Sequence, residues 1–254
     1  MKLLIPFLLS LLFIACGSDS STSANDSDDD VSSKSSCSAK AKSSSSSVKS
    51  SSSTVAKSSS SQKSVSSSSG NASKLVDPAD VIVASMTDAR DGQTYKTVKI
   101  GTQTWMAENL NYETERGSFC YDDNTENCTK FGRLYTWHAA KTACPDGWHL
   151  PTTTECAKLF TAAGGERTAG KVLKSASGWY SSGNGTDDFS FSALPAGLRY
   201  INDNHNLGRN AHFWSTTESS SYNAYYMYLY DSADEACLSY DNKILGLSVR
   251  CLKD

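Results

Sequence analysis

The sequence divides sharply into a segment that cannot form a core and a segment that can. Residues 17–74 contain 29 serines and no aromatic residue, whereas all five Trp and all twelve Tyr lie beyond residue 90. A serine-rich segment buries too little apolar surface to offset the entropy lost on ordering, so we expect residues 17–74 to be disordered. The 180 residues that follow have the size of one ordinary domain.

The N-terminus has the pattern of a secretory signal. A lysine at position 2 precedes an apolar run, Leu3–Ala15, which has the length of a signal-peptide core. Residues 13–17, Phe-Ile-Ala-Cys-Gly, resemble a bacterial lipobox, although Phe13 stands where Leu is usual. The alternative is an ordinary signal peptide in which Cys16 is incidental. If the lipobox is functional, Cys16 carries several acyl chains, which hold a protein stably on a membrane.

These patterns predict three segments. Residues 1–15 form the signal peptide, residues 16–75 form a lipidated N-terminus with a disordered Ser/Lys-rich linker, and residues 76–254 form the domain. We therefore expect an exported protein that is anchored by lipid to the bacterial outer membrane and exposed at the cell surface.

Charge and hydropathy exclude two classes of protein. The domain carries 16 Lys and Arg against 22 Asp and Glu, a net charge of −6, which excludes a basic nucleic-acid footprint. No apolar run reaches the roughly 18 residues of a spanning helix, so the chain is not a polytopic membrane protein. We expect no nucleic-acid partner.

Periodicity indicates a mixed fold. Thr94–Ile100 alternates as a strand does, and a second short strand is predicted over Thr104–Asn109. A helix is predicted over Tyr135–Cys144 before Pro145, and Thr152-x-x-Glu155 is a capping-box signature that precedes an apolar helix stripe. Later strands are predicted over Phe213–Thr217, Ala224–Tyr230, Ala236–Tyr240 and Leu247–Leu252. Helices early and strands late predict an α+β fold with two helices and short antiparallel strands.

The strand predicted over Ala224–Tyr230 carries aromatic residues on both faces. Tyr226, Tyr228 and Tyr230 alternate with Tyr225, Met227 and Leu229. We expect one face to lie in the core and the other to be a candidate aromatic platform.

Eight cysteines in an exported chain indicate disulfides. We set aside Cys16, which lies in the lipobox, and Cys37, for which we find no obvious partner. An even set of six remains, and six cysteines allow fifteen pairings. The six residues are Cys120, Cys128, Cys144, Cys156, Cys237 and Cys251. Locality favours Cys120 with Cys128, and a Cys144–Cys251 bond would close a long loop and fix the last strand.

Several blocks resemble one family. They are Tyr95-Lys-Thr-Val-Lys-Ile-Gly-Thr-Gln-Thr-Trp-Met-Ala-Glu-Asn-Leu-Asn-Tyr112, Gly132-Arg-Leu-Tyr-Thr-Trp137, Cys144-Pro-Asp-Gly-Trp-His-Leu-Pro151, Phe191-Ser-Ala-Leu-Pro-Ala-Gly197, Phe213-Trp-Ser215 and Ser248-Val-Arg-Cys-Leu-Lys-Asp254. Together they are similar to the Fibrobacter succinogenes major paralogous domain over residues 88–254. That family is typical of exported and lipid-anchored bacterial proteins, often behind Ser-rich linkers.

A more distant resemblance concerns the start of the predicted helix. The segment Trp148-His-Leu-Pro-Thr-x-x-Glu155 is similar to a helix start in the formylglycine-generating-enzyme group, and this resemblance implies a C-type-lectin-like fold. Cys156 stands where that group tends to have Trp, which suggests a third bridge between Cys156 and Cys237. The reactive cysteine pair of that group is not implied here, because bridges account better for an even, exported set.

Catalytic and metal signatures are not evident in the sequence. His138, His149, His205 and His212 accompany no recognisable nucleophile motif, so we predict that the protein is not an enzyme and has no cofactor. Two acidic loops have oxygen ligands suited to calcium but no EF-hand spacing, and solvated turns explain them better. Asp187 and Asp188 are the calcium candidates that remain.

Binding is then the predicted role. Flat sugar rings stack on exposed aromatic side chains, and loops on a rigid scaffold are where function concentrates. Trp179, Tyr180 and Tyr200 lie in loop-like stretches rich in Gly, Ser and Asn. They predict a non-catalytic surface module for polysaccharide or another surface polymer. The alternative is a protein-interaction or structural envelope domain with no sugar site, and the sequence fixes no oligomeric state.

Overall fold

The computed structural model describes residues 75–254. The predicted signal peptide, the lipidation at Cys16 and nearly all of the predicted linker lie outside the described residues. The strands are β1 (Ile82–Thr87), β2 (Thr94–Ile100), β3 (Gln103–Met106), β4 (Ser118–Phe119), β5 (Leu134–Tyr135), β6 (Trp148–His149), β7 (Leu198–Tyr200), β8 (Asp203–His205), β9 (Asn210–Glu218), β10 (Asn223–Tyr230), β11 (Ala236–Asn242) and β12 (Leu252–Lys253). The helices are α1 (Thr125–Phe131), α2 (Trp137–Ala140), α3 (Thr153–Ala162) and α4 (Glu166–Leu173), with 3-10 turns at Pro78–Asp80 and Tyr121–Asp123.

The strands form small antiparallel sheets. A five-stranded sheet has the order β1-β2-β3-β12-β6, a three-stranded sheet has the order β11-β10-β9, and β4-β5 and β7-β8 are two-stranded ribbons. The α+β class is therefore confirmed. The predicted number of two helices was too low, since residues 75–254 contain four. None of these helices combines the length and hydrophobicity needed to cross a bilayer.

Some elements occur where the local sequence pattern predicts them. The predicted strand Thr94–Ile100 is β2, which pairs with β1 and β3. The capping box at the start of α3 is present: the Thr152 hydroxyl accepts from the Glu155 amide at 3.2 Å, and the Glu155 carboxylate accepts from the Thr152 amide at 2.8 Å. The apolar stripe then places Cys156, Leu159 and Phe160 in the core.

Two elements differ from the prediction because tertiary pairing overrides local pattern. Within the predicted helix Tyr135–Cys144, Tyr135 belongs to β5, and its backbone exchanges two hydrogen bonds with Leu247 at 2.7 and 3.0 Å. Only Trp137–Ala140 is helical. The predicted strand Leu247–Leu252 reduces to β12 at its end, because Leu247 and Ser248 make only isolated bridges.

The three-stranded sheet lies between two apolar cores. One core contains the α3 stripe with Phe213 and Met227, and the other contains Trp214 and Tyr226. Strand β10 is central and covered on both faces, so Tyr226 and Tyr228 are only 5% and 7% exposed. The expected aromatic platform on this strand was therefore wrong.

A buried arginine joins three segments at the centre of the domain. Arg250 donates to Asn109 Oδ1 at 2.6 Å and to the carbonyls of Met106, Phe191 and Ser192 at 3.2, 2.6 and 2.8 Å. Its guanidinium carbon lies 4.8 Å from the Phe191 ring centroid. Burial lowers the pKa of Arg250 to about 9. These bonds replace the hydration that the guanidinium loses on burial.

Two of the expected disulfides are present. Cys120 is bonded to Cys128, and Cys144 is bonded to Cys251. The expected Cys156–Cys237 bridge was wrong: Cys156 is a free, buried thiol in the core that contains α3, whereas Cys237 belongs to the core on the other side of the sheet. Cys237 is nevertheless disulfide-bonded.

Candidate functional site

Trp179 is not an exposed ligand-binding residue. It is 5% exposed and belongs to the core that contains α3, and its indole N–H donates to Ser175 Oγ at 3.0 Å. The ammonium of Lys174 lies 5.2 Å from its ring centroid. The loop that carries Trp179 turns the ring inward, so the predicted role of this residue in binding was wrong.

Tyr180 and Tyr200 are exposed as expected. Tyr180 is 54% exposed, and the guanidinium of Arg209 lies 5.7 Å from its ring centroid. The ring packs closely on Gly208, where an added Cβ would come within 2.8 Å of it. Tyr200 is 45% exposed at the end of β7. These two rings remain candidate contacts for a ligand.

A concave site lies elsewhere, beside the Cys120–Cys128 disulfide, and we name it the polar groove. Its volume is about 390 Å³, which is within the usual range of about 300–1,000 Å³ for small-molecule sites. Most of its lining residues are polar in type, and one carries an aromatic ring. The lining residues are Asp91, Gln93, Asn111, Tyr112, Glu113, Cys120, Thr125, Cys128, Thr129 and Arg133.

Three separate stretches of chain build the polar groove. Asp91 and Gln93 come from the turn between β1 and β2, Asn111 follows β3, and Arg133 follows α1. The Cys120–Cys128 disulfide ties α1 to the 3-10 turn before it and so fixes one wall. Sequence reasoning missed this site, because only the tertiary fold brings residues near positions 92, 112 and 130 together.

Hydrogen bonds hold most of these side chains in place. The Gln93 amide donates to Asp91 Oδ2 at 2.7 Å, and the Asn111 amide donates to Gln93 Oε1 at 3.2 Å. Arg133 pairs with Glu113 at 2.7 Å, and Arg90 lies 3.8 Å above the Tyr112 ring centroid. The groove therefore presents an ordered array of carboxylate, amide and guanidinium groups.

Two polar atoms of this array have no hydrogen-bond partner in the described part of the chain. They are Asn111 Oδ1, an acceptor, and Arg133 Nε, a donor, and both are buried. A buried polar atom without a partner costs about 1–3 kcal/mol. Both atoms belong to residues that line the polar groove.

A smaller cavity of about 160 Å³ shares part of the polar groove's lining. It has Gln93, Asn111, Cys128 and Thr129 in common with the groove and extends along Glu108 and Lys130. The smaller cavity therefore adjoins the polar groove along these four residues.

The calcium candidates are arranged as a turn. Asp187 accepts hydrogen bonds from the Ser192 amide at 2.7 Å and the Ser192 hydroxyl at 2.5 Å. Burial raises the pKa of Asp187 in spite of these bonds, and Asp188 is exposed. Within residues 75–254 no group of three or more His, Cys, Asp or Glu side chains is placed to hold a metal ion.

His149 and the Cys156 thiol both contribute to the packing of the domain. His149 lies between Asp254 Oδ1 at 2.6 Å and Glu155 Oε1 at 3.3 Å, and so joins the C-terminus to the start of α3. Burial raises the pKa of the Cys156 thiol to about 12, which keeps this thiol protonated and unreactive.

The fold and the site define a class: a disulfide-braced α+β domain with a polar surface groove. Residues 98–253 match the family model of the Fibrobacter succinogenes major domain, which is more than half of the chain. The protein belongs to this family. No curated protein and no solved structure matches the chain.

Proposed function

We propose that this protein is a non-catalytic, lipid-anchored module of the outer-membrane surface that binds polysaccharide in its polar groove. The anchor is the acylated Cys16, and residues 16–75 are the linker that presents the domain. We propose in addition that the domain has a C-type-lectin-like fold, which the helix start at Trp148–Glu155 suggests.

The composition of the polar groove carries the proposal. Sugar hydroxyls both donate and accept hydrogen bonds, and the groove supplies acceptors at Asp91 and Asn111 and a donor at Arg133. The unpartnered Asn111 Oδ1 and Arg133 Nε are an acceptor and a donor, which is what neighbouring hydroxyls of one sugar ring require. The adjoining smaller cavity offers further contacts to a polymer.

The test is retention of the full chain on a panel of neutral and uronic-acid polysaccharides. The Asn111→Ala variant removes an acceptor in the polar groove, and the Tyr180→Ala and Tyr200→Ala variants remove exposed rings outside it. We expect Asn111→Ala to weaken binding about tenfold, as the loss of one or two hydrogen bonds does, with smaller effects from the tyrosine variants.

The outcomes separate the site from the function. Binding that depends on Tyr180 or Tyr200 and is unaffected by Asn111→Ala would keep polysaccharide binding and reject the polar groove. No retention on any polysaccharide of the panel would reject the function itself. Equal melting temperatures of the variants show that the changes in binding are not changes in folding.

A protein-interaction role is the second candidate, and exposed apolar side chains favour it. Tyr222, Ile201 and Ile244 are 76%, 60% and 49% exposed. The backbone of Tyr222 bonds that of Lys243, the residue before Ile244, so two of these side chains lie at one end of the three-stranded sheet. Recovery of one specific protein by crosslinking at Tyr222, in a chain that binds no polysaccharide, would support this role.

A further inference from the structure

We propose that the polar groove selects uncharged polysaccharides and discriminates against polymers that carry carboxylate, sulfate or phosphate groups. This inference rests on the proposed function and names the substrate class of the same site. Two properties of the groove carry it, its charge and its balance of hydrogen-bond donors and acceptors.

The lining of the polar groove is net negative. Asp91 and Glu113 are its two carboxylates, and Arg133 is its one cation. Arg133 is already paired with Glu113 at 2.7 Å, so a carboxylate on the ligand has to compete with Glu113 for the guanidinium. Glu108 and Lys130 in the adjoining cavity cancel each other in charge. An anionic polymer is therefore repelled at this site, and the repulsion is weakened by salt.

The cations beside the groove are engaged as well. Arg90, which lies over the Tyr112 ring, is paired with Asp88 at 2.6 Å and donates to the carbonyl of Ala143 at 2.8 Å. The ammonium of Lys130 lies 4.9 Å from the centroid of the neighbouring phenyl ring. A ligand anion thus gains a strong partner here only by breaking an existing contact.

The groove offers more hydrogen-bond acceptors than donors. The amide of Gln93 donates to Asp91, the amide of Asn111 donates to Gln93, and the hydroxyl of Thr129 donates to a carbonyl one turn earlier in α1. Asn111 Oδ1 has no hydrogen-bond partner within residues 75–254, and the carboxylates of Asp91 and Glu113 keep unused lone pairs. Sugar hydroxyls can donate to these acceptors, whereas ionised carboxylates, sulfates and phosphates cannot donate.

The experiment compares polysaccharide pairs that share a backbone and differ in charge. The pairs are hydroxyethyl cellulose with carboxymethyl cellulose, methyl-esterified polygalacturonate with polygalacturonate, and laminarin with carboxymethyl laminarin. Binding of the full chain is measured at low and high salt, where the screening length is about 30 Å at 0.01 M and about 3 Å at 1 M. The neutral member is expected to bind at least about tenfold more tightly at low salt, and high salt is expected to reduce this ratio.

Charge variants locate the discrimination. Glu113→Gln removes a carboxylate of the groove and releases Arg133, and it is expected to lower the preference for the neutral member about tenfold. Asp91→Asn removes a charge without releasing a cation, and it is expected to lower the preference about threefold. Glu166→Gln is the matched control, because it removes the same charge from an exposed position in α4, outside the groove lining. This control is expected to leave the preference unchanged.

Each other result overturns the proposal in a recognisable way. Acidic members that bind as tightly as their neutral partners, or more tightly, reject the selectivity while polysaccharide binding stands. A neutral preference that Glu166→Gln lowers as much as Glu113→Gln does assigns the effect to the net charge of the domain and rejects the groove as its cause. No binding to either member of any pair rejects the proposed function, and the selectivity with it.

Discussion

His212 gives a sharp prediction about pH. This residue of β9 is 3% exposed, and its ring centroid lies 5.4 Å from that of Tyr226 and 6.4 Å from that of Tyr228. Burial among these rings lowers the pKa of His212 from 6.5 to about 4, against a smaller opposing effect of a backbone hydrogen bond with Gly197. Between about pH 4 and pH 6.5, the folded protein therefore holds a neutral imidazole where the unfolded chain holds a cation.

The sign and size of the effect follow from this difference. Because the unfolded chain takes up its proton near pH 6.5 and the folded chain only near pH 4, stability is complete above pH 6.5 and falls as the pH decreases between these values. A shift of about 2.5 units corresponds to about 3 kcal/mol of unfolding free energy. That is a large fraction of the stability of an ordinary domain.

Urea unfolding, followed by tryptophan fluorescence from pH 7.5 to 4.5, measures the effect. The wild type is expected to lose up to about 3 kcal/mol over this range, and His212→Phe is expected to lose most of that dependence. His138→Gln, at an exposed histidine, is the matched control and is expected to behave as the wild type. A His212→Phe variant whose stability falls with pH as steeply as that of the wild type would refute the reasoning.

Two further predictions concern the braces of the domain. Replacing both cysteines of the Cys144–Cys251 disulfide by alanine is expected to lower the free energy of unfolding by about 4–5 kcal/mol, against about 2–3 kcal/mol for Cys120–Cys128. The difference arises because the first bond closes a loop of 107 residues and the second a loop of 8 residues. Equal losses of stability in thermal unfolding would contradict this. Arg250→Met is expected to cost about 3 kcal/mol or more, because Asn109 and three carbonyls lose their donor. Arg209→Met, at a half-exposed arginine, is its control in chemical denaturation and is expected to cost under about 0.5 kcal/mol.

Features set by neighbours in sequence were predictable. Strand β2 follows directly from the alternation of Thr94–Ile100, and α3 follows from the spacing of Thr152 and Glu155. The Cys120–Cys128 bond joins cysteines only eight residues apart, so locality alone favoured it. In each of these cases the physical cause acts within one or two turns of chain.

Features set by distant parts of the chain were not predictable. The orientation of Trp179 is set by its hydrogen bond to Ser175 and by packing in a core whose other residues are distant in sequence. Cys156 stands where the distantly similar group tends to have Trp, which suggested a bridge to Cys237, but a sheet separates these two residues. No sequence motif indicated the polar groove. The available signal was the adjacent polar and aromatic pair Asn111-Tyr112 at the end of the first family block, and both residues line the groove.

Strand β12 is the seam of the five-stranded sheet. Residues 252–253 pair with both β3 and β6 and are the link between these strands in the sheet. The Cys144–Cys251 disulfide lies directly before this strand, so a covalent bond secures the position of the seam. A chain cut before Cys251 is therefore expected to lose the long-range disulfide and the junction between β3 and β6 in one step.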